Sequence, residues 1–126
     1  MPLGLRDAGA VATGGCAGTW VRVGLDTLLA PASFGALAVS LVVVNLTGAF
    51  LLGWIQSAKE TRRVSARSSA ALGTGFLGAM TTYSSFIAAS SSGVSGIVCA
   101  LVLLAVGVLA ALAGLALGHR FLRRQR

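Results

Sequence analysis

The chain has 126 residues, 56% of them hydrophobic, with a mean hydropathy of +0.87 and only 10% charged. About a quarter of a soluble domain is charged, so this composition excludes an ordinary water-facing surface and makes lipid the expected solvent. The net charge of +7 comes from ten Lys and Arg against three Asp and Glu, but the basic residues flank apolar runs instead of sharing a polar face, so no nucleic-acid partner is expected.

The length suits one domain, residues 1–126, with four membrane spans of roughly 20 residues each. The first span is predicted over about 8–29 and contains Arg22. Arg22 and Asp26 interrupt the apolar run, so the N-terminus is read as a retained span and not as a cleaved signal. Pro31 then stops the helix, leaving a short connection through Ser33. The second span is predicted over about 34–55, with Ser40, Asn45 and Thr47 as its clearly polar members.

A polar loop from Gln56 to Ser69 follows, carrying Lys59, Glu60, Arg62, Arg63 and Arg67. The third span, about 70–89, holds Gly73, Gly75, Gly78, Thr74, Thr81, Thr82, Ser84 and Ser85. Ser90, Ser91, Ser92 and Gly93 make a short turn, and the fourth span, about 94–118, is almost purely aliphatic. A basic tail with His119, Arg120, Arg123, Arg124 and Arg126 closes the chain.

Four spans put both termini and the central loop on one side. Nine of the ten basic residues lie there: Arg6, Lys59, Arg62, Arg63, Arg67, Arg120, Arg123, Arg124 and Arg126. The positive-inside rule then makes both termini cytoplasmic in a multi-pass cell-membrane protein. Small residues recur at i, i+4 as Gly14–Gly18, Ala71–Gly75–Ala79 and Gly114–Gly118, with Gly107 and Ala111 on the last ridge. Such ridges let helix backbones approach closely in lipid.

No catalytic constellation is present, so no enzyme is expected. Cys16 and Cys99 sit in apolar runs without a CxxC spacing, which indicates packing and neither a metal site nor a disulfide. The lone His119 lies in the basic tail. Asp7, Asp26 and Glu60 all fall near span ends or in a loop, which leaves a carboxylate proton relay without parts. Arg22 is a charge inside a span and has two open readings: a functional cation facing a wet cavity, or a residue that snorkels or pairs with Asp26 one turn away. Asn45, near mid-span, either bridges helices or donates its amide N–H groups to an anion.

The stretch Gly75-Phe-Leu-Gly-Ala-Met-Thr-Thr-Tyr-Ser-Ser-Phe86 is poor material for a continuous lipid-facing helix. Irregular backbone at membrane depth survives only where protein buries it or water lines it. Freed carbonyls at a break suit a small cation, and the hydroxyls beyond suit an anion.

Three motifs carry a resemblance. Gly14-Gly15-x-x-Gly18-x-x-x-Arg22, Asn45-Leu-x-Gly48-x-Phe-x-x-Gly53 and Gly75-Phe-x-Gly78-x-x-Thr81-Thr82-Tyr83-Ser84-Ser85-Phe86 occur in order over three spans. Together they resemble the small fluoride channels called Fluc or CrcB. The resemblance implies an all-α four-helix membrane bundle, broken in its third helix, working as an antiparallel dimer with two pores along the interface. It implies a structural sodium ion, required but not transported, on the backbone carbonyls of Gly78 and Thr81. It implies Asn45, Tyr83, Ser84 and Phe86 along the fluoride pore and Arg22 as a vestibule or structural cation. Fluoride leaving the cytoplasm passively is the implied activity.

Converging N–H and O–H donors and positive ring edges can replace the water of a small, tightly hydrated anion. The sequence departs from the family pattern at Tyr83 (usually Phe), Ser85 (Thr), Ala89 (Glu) and Ser40-Leu41 (Gly-Thr), and no Ser or Thr lies between Ile97 and Gly118. The one-sided charge is hard to reconcile with a chain that inserts both ways, so an oppositely oriented paralogue is the expected partner. Two other classes fit the hydropathy. A small four-helix multidrug transporter would need a mid-membrane Glu, and a non-transporting assembly protein would use the polar third span as helix glue.

Overall fold

The computed structural model describes residues 4–29, 33–34, 37–80 and 93–124. Helix α1 spans Leu5–Leu29, and a two-residue antiparallel ladder follows, β1 Ser33–Phe34 with β2 Leu37–Ala38. Helix α2 spans Val39–Glu60. The third segment is helical throughout its described part, but not uniformly α: α3 Ala66–Ser69 leads into a π-helix, Ala70–Leu77, and then α4 Gly78–Met80. Helix α5 spans Val94–Arg124. The helices overrun the predicted spans at several ends: α1 starts at Leu5, α2 runs on to Glu60 through the first part of the predicted loop, and α5 runs on to Arg124. The second helix begins at Val39, not near residue 34, because Ser33–Phe34 pairs with Leu37–Ala38. The third begins four residues early, at Ala66, because Ser65 caps it, its Oγ accepting from the Ser68 N–H at 3.1 Å.

Neighbours run parallel in two pairs. Gly14 and Gly18 of α1 sit against Ala71 and Phe76 of the π-helix, and Gly75 returns the contact to Val11 and Gly15. Gly53 and Ser57 of α2 sit against Ala111 and Gly118 of α5, and Gly114 meets Phe50. The start of α1, the end of α2, the start of α3 and the end of α5 therefore share one end of the bundle. Two side-chain contacts close that end: the ion pair of Arg67 Nε with Asp7 Oδ1 at 2.7 Å and the hydrogen bond between His119 Nε2 and Glu60 Oε2 at 2.9 Å. The hydrogen bond from Arg67 holds the Asp7 carboxyl below its ordinary range, and Gln56, then His119, does the same for Glu60. Carboxylates lowered in the fold stabilise it above their ordinary pKa values and lose that contribution as pH falls through the lowered ones.

The tie between α2 and α3 is tight for a local reason. The N–H of Arg62 donates to Lys59 O and that of Arg63 to Ala58 O, with Arg62 at φ 56°. This is a Schellman end, whose left-handed position glycine normally occupies. Arg62→Gly is therefore expected to stabilise the fold by up to about 1 kcal/mol, measured as a raised midpoint of thermal unfolding in detergent.

The core is small. Val44, Leu77 and Met80 are buried together, with Leu25, Ile55 and Phe76 packed around them. Outward, α5 exposes Leu101, Val102, Leu104, Leu109 and Leu112, each more than half accessible, and α1 exposes Trp20 and Leu28 at 78% and 77%. A helix of 31 residues rises about 46 Å, more than the roughly 30 Å of a bilayer's hydrocarbon core. Among the described residues, two helices, Leu41–Glu60 and Val94–Arg124, are long and apolar enough to cross a membrane. Apolar flanks this exposed need lipid or protein against them.

Candidate functional site

Three of the four segments meet around the core cluster. Helix α1 brings Arg22, α2 brings Val44 and its neighbour Asn45, and the third segment brings Leu77 and Met80. Arg22 is 7% exposed. Its Nε donates to Asp26 Oδ2 at 2.7 Å, and a guanidinium nitrogen donates to the carbonyl of Met80 at 2.9 Å. The Asp26 pairing was one of the two sequence readings. The Met80 carbonyl was not foreseen, because sequence spacing cannot register a contact between residues 58 positions apart. Arg22 thereby ties α1 to the last described turn of the third segment.

Replacing Arg22 by Met removes at least the two charge-assisted bonds to Asp26 and Met80 while sparing the chain a buried cation. Interhelical bonds in membranes average about 0.6 kcal/mol and reach about 1.7, so the loss should be about 1–3 kcal/mol, the upper end reflecting the charge. Detergent melting of Arg22→Met should fall accordingly, while membrane insertion, relieved of a charge, stays at least as efficient.

Asn45 is half-buried on α2, and its amide nitrogen donates to Leu41 O at 2.7 Å. This bond lies within one helix. It holds the side chain in a single orientation and uses one of two amide N–H groups, so the second and the carbonyl oxygen are left to other partners. Gly48, one turn on, is buried.

Gly78 begins α4 and is exposed, with its N–H shared between the carbonyls of Gly73 and Gly75. Exposed backbone without a side chain can be approached by a second chain, and a carbonyl oxygen is a hard donor suited to a hard cation. The cation site expected at Gly78 would draw on that carbonyl. Thr81, Tyr83, Ser84 and Phe86 lie outside the described residues, as does Ala89.

The π-helix just before Gly78 was not foreseen either. Its turns bury Gly73 beside Leu52 of α2 and Gly75 beside α1, which wedges the segment between two helices. Short π-type turns concentrate at functional sites, and here they lead directly to the candidate cation ligand. The glycines of this stretch were the readable signal. The choice of i, i+5 bonding over α was not. Gly53 was visible only as part of a motif, although Gly53-x-x-x-Ser57 has the same small-residue spacing as the ridges read elsewhere.

Residues 9–119 match the family model described as CrcB-like protein, Camphor Resistance (CrcB). The chain is 40% identical over 121 aligned residues to a protein named fluoride-specific ion channel FluC 2 from Leifsonia xyli subsp. xyli, covering 86% of this chain and 80% of that one. It is 43% identical over 76 residues to a FluC 2 of Moorella thermoacetica (60% of this chain, 62% of the relative) and 40% identical over 83 residues to a FluC of Chlorobium phaeobacteroides (65% and 64%). The aligned stretch is thus most of the first relative and slightly under two thirds of the other two. With its apolar helices and a family match over nearly the whole length, this membrane protein belongs to the CrcB-like family.

Proposed function

We propose that this chain is one subunit of a fluoride channel, not an enzyme, which lets fluoride leave the cytoplasm passively and so lowers its toxicity. The observation that carries the reading is the family match over residues 9–119, which holds every candidate site residue, together with relatives named fluoride-specific ion channels. A half-buried, pre-oriented amide at Asn45 supports it, because a desolvated small anion needs donors already aimed. Tyr83, Ser84 and Phe86 complete the pore lining in this proposal, and Arg22 is the structural cation that holds the third segment to α1.

The third helix breaks beyond Met80, and the carbonyls of Gly78 and Thr81 hold a sodium ion that is required but not transported. When bound, that ion would neutralise carbonyl oxygens that a helix break leaves without N–H partners. The working unit is an antiparallel dimer. Eight described basic residues crowd one end of the bundle, which favours a single orientation with both termini cytoplasmic and therefore an oppositely oriented paralogue as partner.

Proteoliposomes loaded with fluoride and read by a fluoride electrode test the activity. Efflux well above that of empty vesicles is expected when the chain and its partner are reconstituted together, and none from either alone. Replacing sodium by a bulky cation on both sides should abolish the flux. Flux undiminished without sodium would remove the ion, and robust flux from this chain alone would remove the paralogue. No fluoride flux from any combination would overturn the channel reading.

A further inference from the structure

The charges at the basic end do not balance within the chain. Its three side-chain carboxylates are all engaged: Asp7 with Arg67, Asp26 with Arg22 and Glu60 with His119. Arg63 donates to the Leu122 carbonyl. Among the described residues, Arg120 and Arg124 pair with no carboxylate, and both are exposed. No acidic side chain among the described residues is left to neutralise them.

Their position says what kind of counter-charge suits them. Residues 117, 120, 121 and 124 fall on one stripe of α5, since positions three and four apart share a helix face. Leu117, Arg120, Phe121 and Arg124 line one open concavity of about 450 Å³. No charged residue occurs between Val94 and Gly118, so this stretch fills the hydrocarbon layer, and His119 and Arg120 are the first side chains beyond it. Phe121 is anchored there by an aromatic chain, 6.1 Å from Trp54, which lies 6.3 Å from Phe50. Aromatic rings of this sort collect at the level of lipid headgroups. The concavity therefore has an apolar floor facing the acyl chains and a guanidinium pair, one turn apart, facing the phosphates. Guanidinium matches phosphate oxygens two at a time.

We propose that Arg120 and Arg124, above Leu117 and Phe121, form a binding site for the phosphate headgroup of one anionic phospholipid. The site rests on the chain's being in a membrane and not on its being a fluoride channel. Hydrogen bonding from each guanidinium to the phosphate is worth about 1 kcal/mol net, so loss of both should weaken binding about thirtyfold.

The purified chain in detergent is titrated with phosphatidylglycerol, phosphatidylcholine or glycerol phosphate, and bound lipid is counted by native mass spectrometry. About one phosphatidylglycerol per chain is expected. Retention should drop about thirtyfold in the Arg120→Gln/Arg124→Gln protein and by less in Arg120→Lys/Arg124→Lys, which keeps charge but loses the planar fork. It should stay unchanged in Arg6→Gln/Arg62→Gln, which removes the same charge from the same end. If the Gln pair does not fold, the Lys pair and the control decide by the same comparison. An equal drop in the control would mean diffuse attraction and overturn the site. So would equal retention of phosphatidylcholine, while displacement by glycerol phosphate at lipid concentrations would make it a site for free phosphate esters and not for lipid.

Discussion

Asn45→Leu is expected to cut fluoride efflux by about 10–100-fold while the protein still assembles and melts as before. A hydrogen bond to a charged partner is worth about 1.5–3 kcal/mol, and that sum, lost from a permeating anion, gives this range. Leucine keeps most of the volume at a half-buried position, and the bond it removes is local, from the amide to Leu41 O one turn back. The fold should therefore hardly notice. Side chains that bridge helices behave otherwise: their loss lowers melting first and flux only as a consequence. Measuring both on one preparation separates the readings. Full flux with a lowered melting point would make Asn45 a helix-packing residue and remove it from the pore.

The second large effect concerns the α2–α5 contact. A methyl at Gly114 would run into the Phe50 carbonyl oxygen, and one at Gly53 into that of Ala111, so the two helices are interlocked from both sides. Neither obstacle is a flexible side chain. Backbone must move, and a gap of 0.5–1 Å already forfeits about a quarter to a half of each contact's dispersion energy. In lipid, where packing stands in for the hydrophobic effect, that loss spreads along the whole interface.

Gly114→Ala should thus cost about 3 kcal/mol or more and leave little folded protein to purify. Gly107→Ala is the control. Gly107 belongs to the same ridge by spacing, but a methyl there meets nothing within 4 Å, and alanine favours the helix by about 0.5–1 kcal/mol. Melting of Gly107→Ala should hold or rise. Equal behaviour of the two variants would show that close approach does not hold these helices together.

That pair also shows where sequence reasoning stops. The spacing of Gly107, Ala111, Gly114 and Gly118 marks a ridge, yet the structure engages Ala111, Gly114 and Gly118 and not Gly107, because Phe50, Gly53, Trp54 and Ser57 of α2 lie opposite those three. The Ser57 hydroxyl is fully buried there and has no hydrogen-bond partner among the described residues, which spacing could not announce. In the same way Arg22 was readable as a costly charge with Asp26 in reach, but its second partner belongs to another helix.

What the sequence determined by itself was everything that depends on composition and order along the chain. Four apolar stretches, their interruption by Pro31 and by the Lys59–Arg67 loop, and the gathering of basic residues at one end all follow from hydropathy and charge, which act on each segment separately. The three glycine-bearing motifs belong here too, since close backbone approach demands particular residues at particular places. Tertiary structure decided what depends on which segments touch. It paired α1 with the third segment and α2 with α5, set the two-residue ladder before Val39, and turned Ala70–Leu77 into a π-helix wedged between α1 and α2. The reason is common to all of these: the energy of a contact belongs to two surfaces at once, and a single chain read in order carries only one of them at a time.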